Sequence, residues 1–207
     1  MPDPYVRVVF ELADGRQLRY RDVRKFGRIG LWPGGGLRSV GAGRGSRSKK
    51  VAEGARRYRI GEVFSGHGPE PLSAGFTVER LKERLSRRSA KLKTLLLDQS
   101  FIAGVGNIYA DEALWRARLH PLRAADPLDD DEVRRLHRSI RMVLRKGIAN
   151  RGSSVSDYVS TDGEPGDNAE RLMVYRRTDQ PCYRCGRPFS RIVVAQRSSH
   201  FCPRCQP

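Results

Sequence analysis

Residues 98–121 read DQSFIAGVGNIYADEALWRARLHP, and the order of residue types in this stretch decides the fold around it. Gly104, Val105 and Gly106 separate two helix-forming segments, and Asn107 stands where the second begins. Free backbone N–H groups at a helix start, together with the positive end of its dipole, attract an anion, and an asparagine amide adds one more donor. A plain N-cap at a tight turn between helices accounts for the same residues. Lys91 and Lys93 precede the turn, and Arg116 and Arg118 follow it. Leu95, Leu96, Leu97 and Ile108 read as packing residues.

On either side the apolar period remains helical. Leu81, Leu85 and Leu92 punctuate basic segments from Thr77 onward, and PLDDDEVRRLHRSIRMVLRKGIAN is the clearest helix of the chain. Acidic residues crowd its first turn, Val133, Leu136, Ile140 and Val143 or Leu144 form its apolar stripe, and Gly147, Asn150 and Gly152 fall near its end. A further short helix is expected from Ser153 or Ser154. Residues 68–165 are thus expected to form one helical domain.

Residues 166–207 read differently. Cys182 and Cys185, then sixteen residues, then Cys202 and Cys205 make two C-x2-C pairs flanking a hairpin whose first strand holds Ile192, Val193 and Val194. Such pairs bring four thiolates to the corners of a tetrahedron, the geometry of a structural Zn2+ site; an iron–sulfur centre or disulfides are the other uses of the spacing. With four protein ligands no position is left for a reacting water, so the metal would staple the hairpin. His200 is read as a neighbour of the site. Arg197, in AQRSSHFC, lies on the return strand, with Arg184, Arg187, Arg191 and Arg204 nearby. An arginine on a rigid turn suits bidentate phosphate recognition, and a solvated surface arginine fits the same spacing.

The chain has 40 Lys and Arg against 23 Asp and Glu, a formal net charge of +17. That balance favours a polyanionic partner, nucleic acid above all, over a small neutral substrate. No apolar run reaches the roughly 20 residues needed to cross a membrane, and MPDPYVRVVFELADG lacks a basic leader with an apolar core, so cytoplasm or nucleoid is the expected compartment. Residues 1–36 alternate as short strands, with Val6, Val8 and Phe10, a turn at Asp14-Gly15, Leu18 and Tyr20, then Ile29 and Leu31. Three short strands cannot cover both faces of a sheet, so they are expected to form the edge of a larger β domain. Residues 37–67 are glycine-rich, with eight basic residues between Arg38 and Arg59 against Glu53 alone, and read as a basic loop or insertion, either a solubilising linker or a phosphate-binding arm.

LLLDQSFIAGVGNIYADEALWRARLHPLR closely resembles the helix–two-turn–helix segment of the bacterial formamidopyrimidine-DNA glycosylase and endonuclease VIII family. GPEPLS, VSDYVSTDGEPG, VYRR and the cysteine module ending QRSSHFCPRCQ follow in that family's order. LADGRQLRYRDVRKFGRIGLW resembles the last strands of its N-terminal β-sandwich. The resemblance implies an α+β protein with a partial β-sandwich remnant, a helix–two-turn–helix domain and a four-cysteine zinc-finger β-hairpin. It implies one structural Zn2+ on Cys182, Cys185, Cys202 and Cys205, double-stranded DNA, damaged or abasic, as partner, and base-excision repair of oxidised purines by a glycosylase with lyase activity. Asn107 and Lys93 would grip phosphates flanking the lesion, Arg88 would assist nearby, and Arg197 would hold the lesion phosphate and aid elimination. Arg24 would face the estranged base and Phe26 would fill the gap left by the flipped one, a void that must be compensated. A strand-core role is the other reading of Phe26.

Several positions depart from the family pattern. The family's catalytic proline, glutamate and lysine lie in parts of the sandwich that precede the resembling segment, and Pro2, followed by Asp3, does not reproduce that proline. Asp167-Asn168 replaces the usual aromatic pair after the DGxPG pattern, Arg176 replaces a common glycine in VYRR, and the loop after Gly27 is longer and more basic. The expectation is therefore a DNA-binding portion of a glycosylase, inactive in base excision by itself. A natural non-catalytic, zinc-dependent DNA-binding protein derived from the family is the alternative. A monomer is expected, with association possible through the partial sandwich.

Overall fold

The computed structural model describes residues 4–21, 66–126, 128–153 and 166–207. The chain divides into two compact units, Met1–Ser65 and Gly66–Pro207. In the first, β1 (Val6–Glu11) and β2 (Gln17–Arg21) pair antiparallel, with a register shift between Val6 and Val8. Asp14 and Gly15 form the turn as expected: the Asp14 carboxylate accepts from the Arg16 backbone and guanidinium. Val8, Val9, Phe10, Leu12 and Leu18 of this hairpin are exposed, so it holds no apolar core of its own. The expected strand at Ile29 and Leu31, Arg24, Phe26 and the basic loop lie outside the described residues, as does the expected helix after Ser153.

The second unit is built on four helices and a hairpin. Helix α1 (Val78–Ser86) starts at Thr77, whose side chain accepts from the Arg80 N–H, and buries Leu81 and Leu85 one turn apart. Helix α2 (Leu92–Leu97) buries Leu92, Leu95 and Leu96. Helix α3 (Asn107–Ala117) is nearly all buried from Ala110 on, and it ends on Arg118 in the left-handed conformation at φ 61°. Helix α4 (Asp130–Ala149) opens with a capping box: Asp129 accepts from the Glu132 N–H at 2.7 Å and the Glu132 carboxylate accepts from the Asp129 N–H at 3.1 Å. Phe101, Ile102, Val105, Leu114, Val133, Leu136 and Ile140 belong to the core that these helices share.

Gly147 lies near the end of α4, as expected, two residues before Ala149, and it has a packing role as well: a side chain there would collide with the Tyr109 ring on α3, the helix against which α4 packs. Gly147→Ala should therefore destabilise the unit by about 1–3 kcal/mol through overpacking, despite the higher helix propensity of alanine. Chemical denaturation measures this, and an unchanged or raised midpoint would refute the close contact.

The hairpin pairs β3 (Ser190–Val194) with β4 (Arg197–Phe201). Ala195 and Gln196, at φ 48° and 58°, make the two-residue connection. Two left-handed residues in succession give the twist that a tight hairpin needs, although neither is glycine. The turn fixes Val194 opposite Arg197, and so sets where Arg197 leaves the hairpin.

Candidate nucleic-acid interface and metal centre

The turn before α3 is held by a residue the sequence reading passed over. Gly104 takes φ +74°, its N–H donates to the Gln99 side-chain oxygen at 2.8 Å, and the Gln99 amide donates to the Val105 carbonyl at 3.0 Å. A glycine-rich turn would otherwise be loose; Gln99 closes it from within. A polar residue five positions before a glycine has no periodic signature, so only the closed turn reveals its use.

Asn107 is the first residue of α3, and the cap position belongs to Gly106, which carries no side-chain cap. The Asn107 amide reaches instead across the fold and donates to the Ser198 carbonyl of β4 at 3.0 Å. The plain-cap reading therefore fails, because this side chain bonds the hairpin rather than its own helix. Arg197, next to Ser198, is exposed. The turn that carries Asn107 is thereby tied to the strand that carries Arg197.

Lys93 departs from its expected accessibility. Its side chain is fully buried, its ammonium 2.5 Å from Asp111 Oδ1 and donating to the Asn107 carbonyl at 3.0 Å. Burial pulls its pKa below the usual 10.5, against the opposing pull of Asp111, and the charge of Arg197 acts in the same downward direction as burial. The other carboxylate oxygen of Asp111 accepts from the His200 backbone N–H and from His200 Nδ1, both at 3.0 Å. A buried ion pair of this kind is sustained only when the remaining lone pairs are satisfied, and Asp111 has all three partners. His200 is thus a buried tie between α3 and β4. Arg88 is exposed just after α1. Among the described residues, no side-chain contact draws it to Asn107.

Glu112, the next residue of α3, holds the segment that enters the cysteine module. Its Oε1 accepts from the Met173, Val174 and Tyr175 backbone N–H groups at 2.9, 2.9 and 3.1 Å. Burial nevertheless raises its pKa above the ordinary 4.5, with those three N–H groups pulling the other way. Asp111 and Glu112 look in the sequence like ordinary polar helix residues. Their work becomes visible only when the distant strands are in place.

Cys182, Cys185, Cys202 and Cys205 lie with all four sulfurs within 4.8 Å of one another. All four are free thiols, which excludes the disulfide use of the spacing. The Cys185–Cys202 and Cys182–Cys205 sulfurs are 3.4 and 4.0 Å apart. A ZnS4 tetrahedron with bonds of about 2.3 Å has edges of about 3.8 Å, so the four sulfurs fit a structural Zn2+ as they stand. Burial and the three facing sulfurs push the Cys205 thiol up to about 12, whereas Cys182, despite burial, is brought to about 7 by N–H groups that include Arg184 and Trp115. A metal takes the place of these protons when it binds.

A helix–two-turn–helix unit whose turn is bonded to a four-cysteine zinc hairpin is the class that this fold and site define. Residues 67–159 match the formamidopyrimidine-DNA glycosylase H2TH domain, and residues 179–207 match the zinc finger found in FPG and IleRS. The chain belongs to the formamidopyrimidine-DNA glycosylase family. It is 47% identical to the formamidopyrimidine-DNA glycosylase of Roseiflexus sp. (strain RS-1), over 99% of this chain and 67% of that protein. The corresponding protein of Heliobacterium modesticaldum is 48% identical, over 98% and 65%. The chain thus spans about two thirds of the length of these relatives. The crystal structure of the MutM (Fpg) protein of Thermus thermophilus superposes with a TM-score of 0.80 at 42% identity, covering all of this chain and 70% of that one. That of the Lactococcus lactis Fpg in complex with abasic-site DNA gives 0.65 at 40% identity, over 70% of this chain and 53% of the other. Among the described residues, no helix is long and apolar enough to cross a membrane.

Proposed function

We propose that this chain is the lesion-holding part of a base-excision-repair glycosylase and lyase of oxidised purines, and that its partner is duplex DNA carrying a damaged or abasic position. The observation that carries the reading is the Asn107–Ser198 bond, which makes the glycine turn and the Arg197-bearing strand one surface. Arg197 contributes a bidentate donor to a phosphate, and Arg88 adds an exposed cation. The backbone at the turn adds neutral donors. Lys93 serves by holding Asp111 and the start of α3, since its fully buried ammonium is out of reach of a phosphate arriving from solvent. Relatives solved with abasic-site and Fapy-dG DNA support the choice of ligand.

Arg24 and Phe26 are assigned to the opposite-base contact and the wedge by their place in the motif alone. The nucleoid follows as the site of action if the partner is chromosomal DNA. Assayed by itself, the 207-residue chain should hold duplex without forming a borohydride-trappable adduct; a stable adduct would show that the chain carries its own nucleophile. The non-catalytic reading and the glycosylase reading share this outcome, and base release on addition of the family's N-terminal sandwich segment separates them.

Two substitutions test the grip in different ways. Arg197→Ala should weaken binding to an abasic-analogue duplex and reduce the magnitude of the slope of log K against log salt by about 0.9, because one phosphate contact is lost. Asn107→Ala should weaken binding with an unchanged slope, since the asparagine carries no charge and the Asp111–His200 bonds keep β4, and Arg197 with it, in place. Fluorescence anisotropy across a salt series reads both. Equal slopes in the two variants and the parent would remove Arg197 from the phosphate contact.

A further inference from the structure

The end of α3 opposite Asn107 meets the cysteine module at Trp115, and this contact assigns the indole a part in holding the metal. Trp115 is 3% exposed and packs in one apolar cluster with Val174, Cys182, Phe189 and Cys202. Its Nε1 is buried and completes no hydrogen bond. Buried indole N–H groups ordinarily find a partner. Cys182 and Cys202 are the sulfur acceptors packed against the indole in that cluster.

The rest of the contact holds the ring at that angle. The Arg184 guanidinium lies 3.9 Å from the Trp115 ring centroid and donates to the Trp115 and Arg116 carbonyls at 2.6 and 3.1 Å, closing the end of α3. The Phe189 ring meets the indole edge-on at 6.4 Å. Arg118, Arg184 and Arg204 line a cavity of about 330 Å3 against Cys185 and Cys205, and among the described residues no acidic side chain lines it. A divalent zinc bound by four thiolates carries a net negative charge, which gives these arginines a counter-charge and the indole an acceptor.

We propose that Trp115 is an outer-sphere donor to the zinc centre, its Nε1–H bonding the Cys182 thiolate in the metal-bound protein, so that the helical domain contributes to metal affinity. The indole is a positioning group and does not ligate the metal. Removing such a partner commonly weakens metal binding by about 10–100-fold. The same helix carries Asn107 at its start, so a metal held through Trp115 is linked along one rigid element to the turn.

The test uses the full chain. Trp115→Phe keeps an aromatic ring and removes the donor; competition with a chromophoric chelator should show zinc held at least tenfold more weakly. Phe189→Leu disturbs the packing of the same indole and leaves the donor, and it should lose less than half of that effect on a logarithmic scale. With Co2+ in the site, Trp115→Phe should shift the thiolate-to-metal charge-transfer band to lower energy, because a hydrogen bond to sulfur stabilises its lone pair; Phe189→Leu should leave the band in place. Zinc affinity of Trp115→Phe within twofold of the parent, equal losses in the two variants, or an unmoved band would each overturn the assignment.

Discussion

Chelating the zinc should unfold the β3–β4 hairpin while α1 to α4 remain folded, and should abolish the grip on duplex DNA. The hairpin has two strands of five residues, and few buried apolar side chains belong to it. A two-stranded hairpin of that size is marginal in water at best, so its order depends on the metal and on α3. Zinc supplies an apparent free energy of about 10–16 kcal/mol in isolated finger peptides at neutral pH, far more than the ties to α3 can replace. The Asn107–Ser198 and Asp111–His200 bonds break with the hairpin, and Arg197 loses its placement. Amide exchange on the metal-free chain should show lost protection over residues 190–201 and retained protection in the middle of α4. Protection persisting in both would mean that packing on α3 suffices without the metal.

Asp111→Asn should cost the Gly66–Pro207 unit about 3–5 kcal/mol, the penalty for leaving the buried Lys93 ammonium without its counter-ion. An asparagine keeps the volume and can still accept from His200, with its NH2 then turned toward the Lys93 ammonium, so the loss reports the missing carboxylate rather than space. A double change of Lys93 to Met and Asp111 to Leu should cost less than Asp111→Asn alone, because no uncompensated charge remains buried. Urea unfolding monitored at α4 measures both, with an unchanged dependence on denaturant as the control for two-state behaviour.

The same pair sets a pH dependence. Lys93 has a depressed pKa in the folded protein, so between that value and the ordinary 10.5 the unfolded chain binds more protons than the folded one. Its contribution to stability therefore rises with pH across that window. Removing Asp111 deletes the carboxylate that opposes burial, which depresses the folded value further and widens the window downward. Asp111→Asn should recover part of its lost stability as the pH is raised toward 10.5. A deficit that stays constant with pH would mean that Lys93 is already neutral in the parent.

Much of this architecture is legible in the chain itself. The helical stripe at Val133, Leu136 and Ile140 is buried as read, the acidic first turn forms the capping box, and the two C-x2-C pairs converge on one tetrahedral set. These features are local or carry a strict spacing, which is why they survive without knowledge of the fold. Lys93 and Asn107 were open to a wrong assignment for the opposite reason, and the packing role of Gly147 was invisible. A lysine before a turn looks exposed, an asparagine at a helix start looks like a cap, and a glycine near a helix end looks like no more than a stop. Each is decided by a side chain or carbonyl on another element: Asp111, Ser198 and Tyr109.

By itself, then, the sequence determined the helical period, the glycine turn, the metal-ligand set and the family pattern, because each depends on residue type at short, fixed separations. Only the tertiary structure decided that Asp111, Glu112 and Trp115 on one helix hold His200, the segment Met173–Tyr175 and the neighbourhood of Cys182. Those partners lie far downstream, and no period or spacing connects them. Burial makes the difference: once water is excluded around α3, the carboxylates of Asp111 and Glu112 need particular partners, and those partners tie the helix to the strand that carries Arg197.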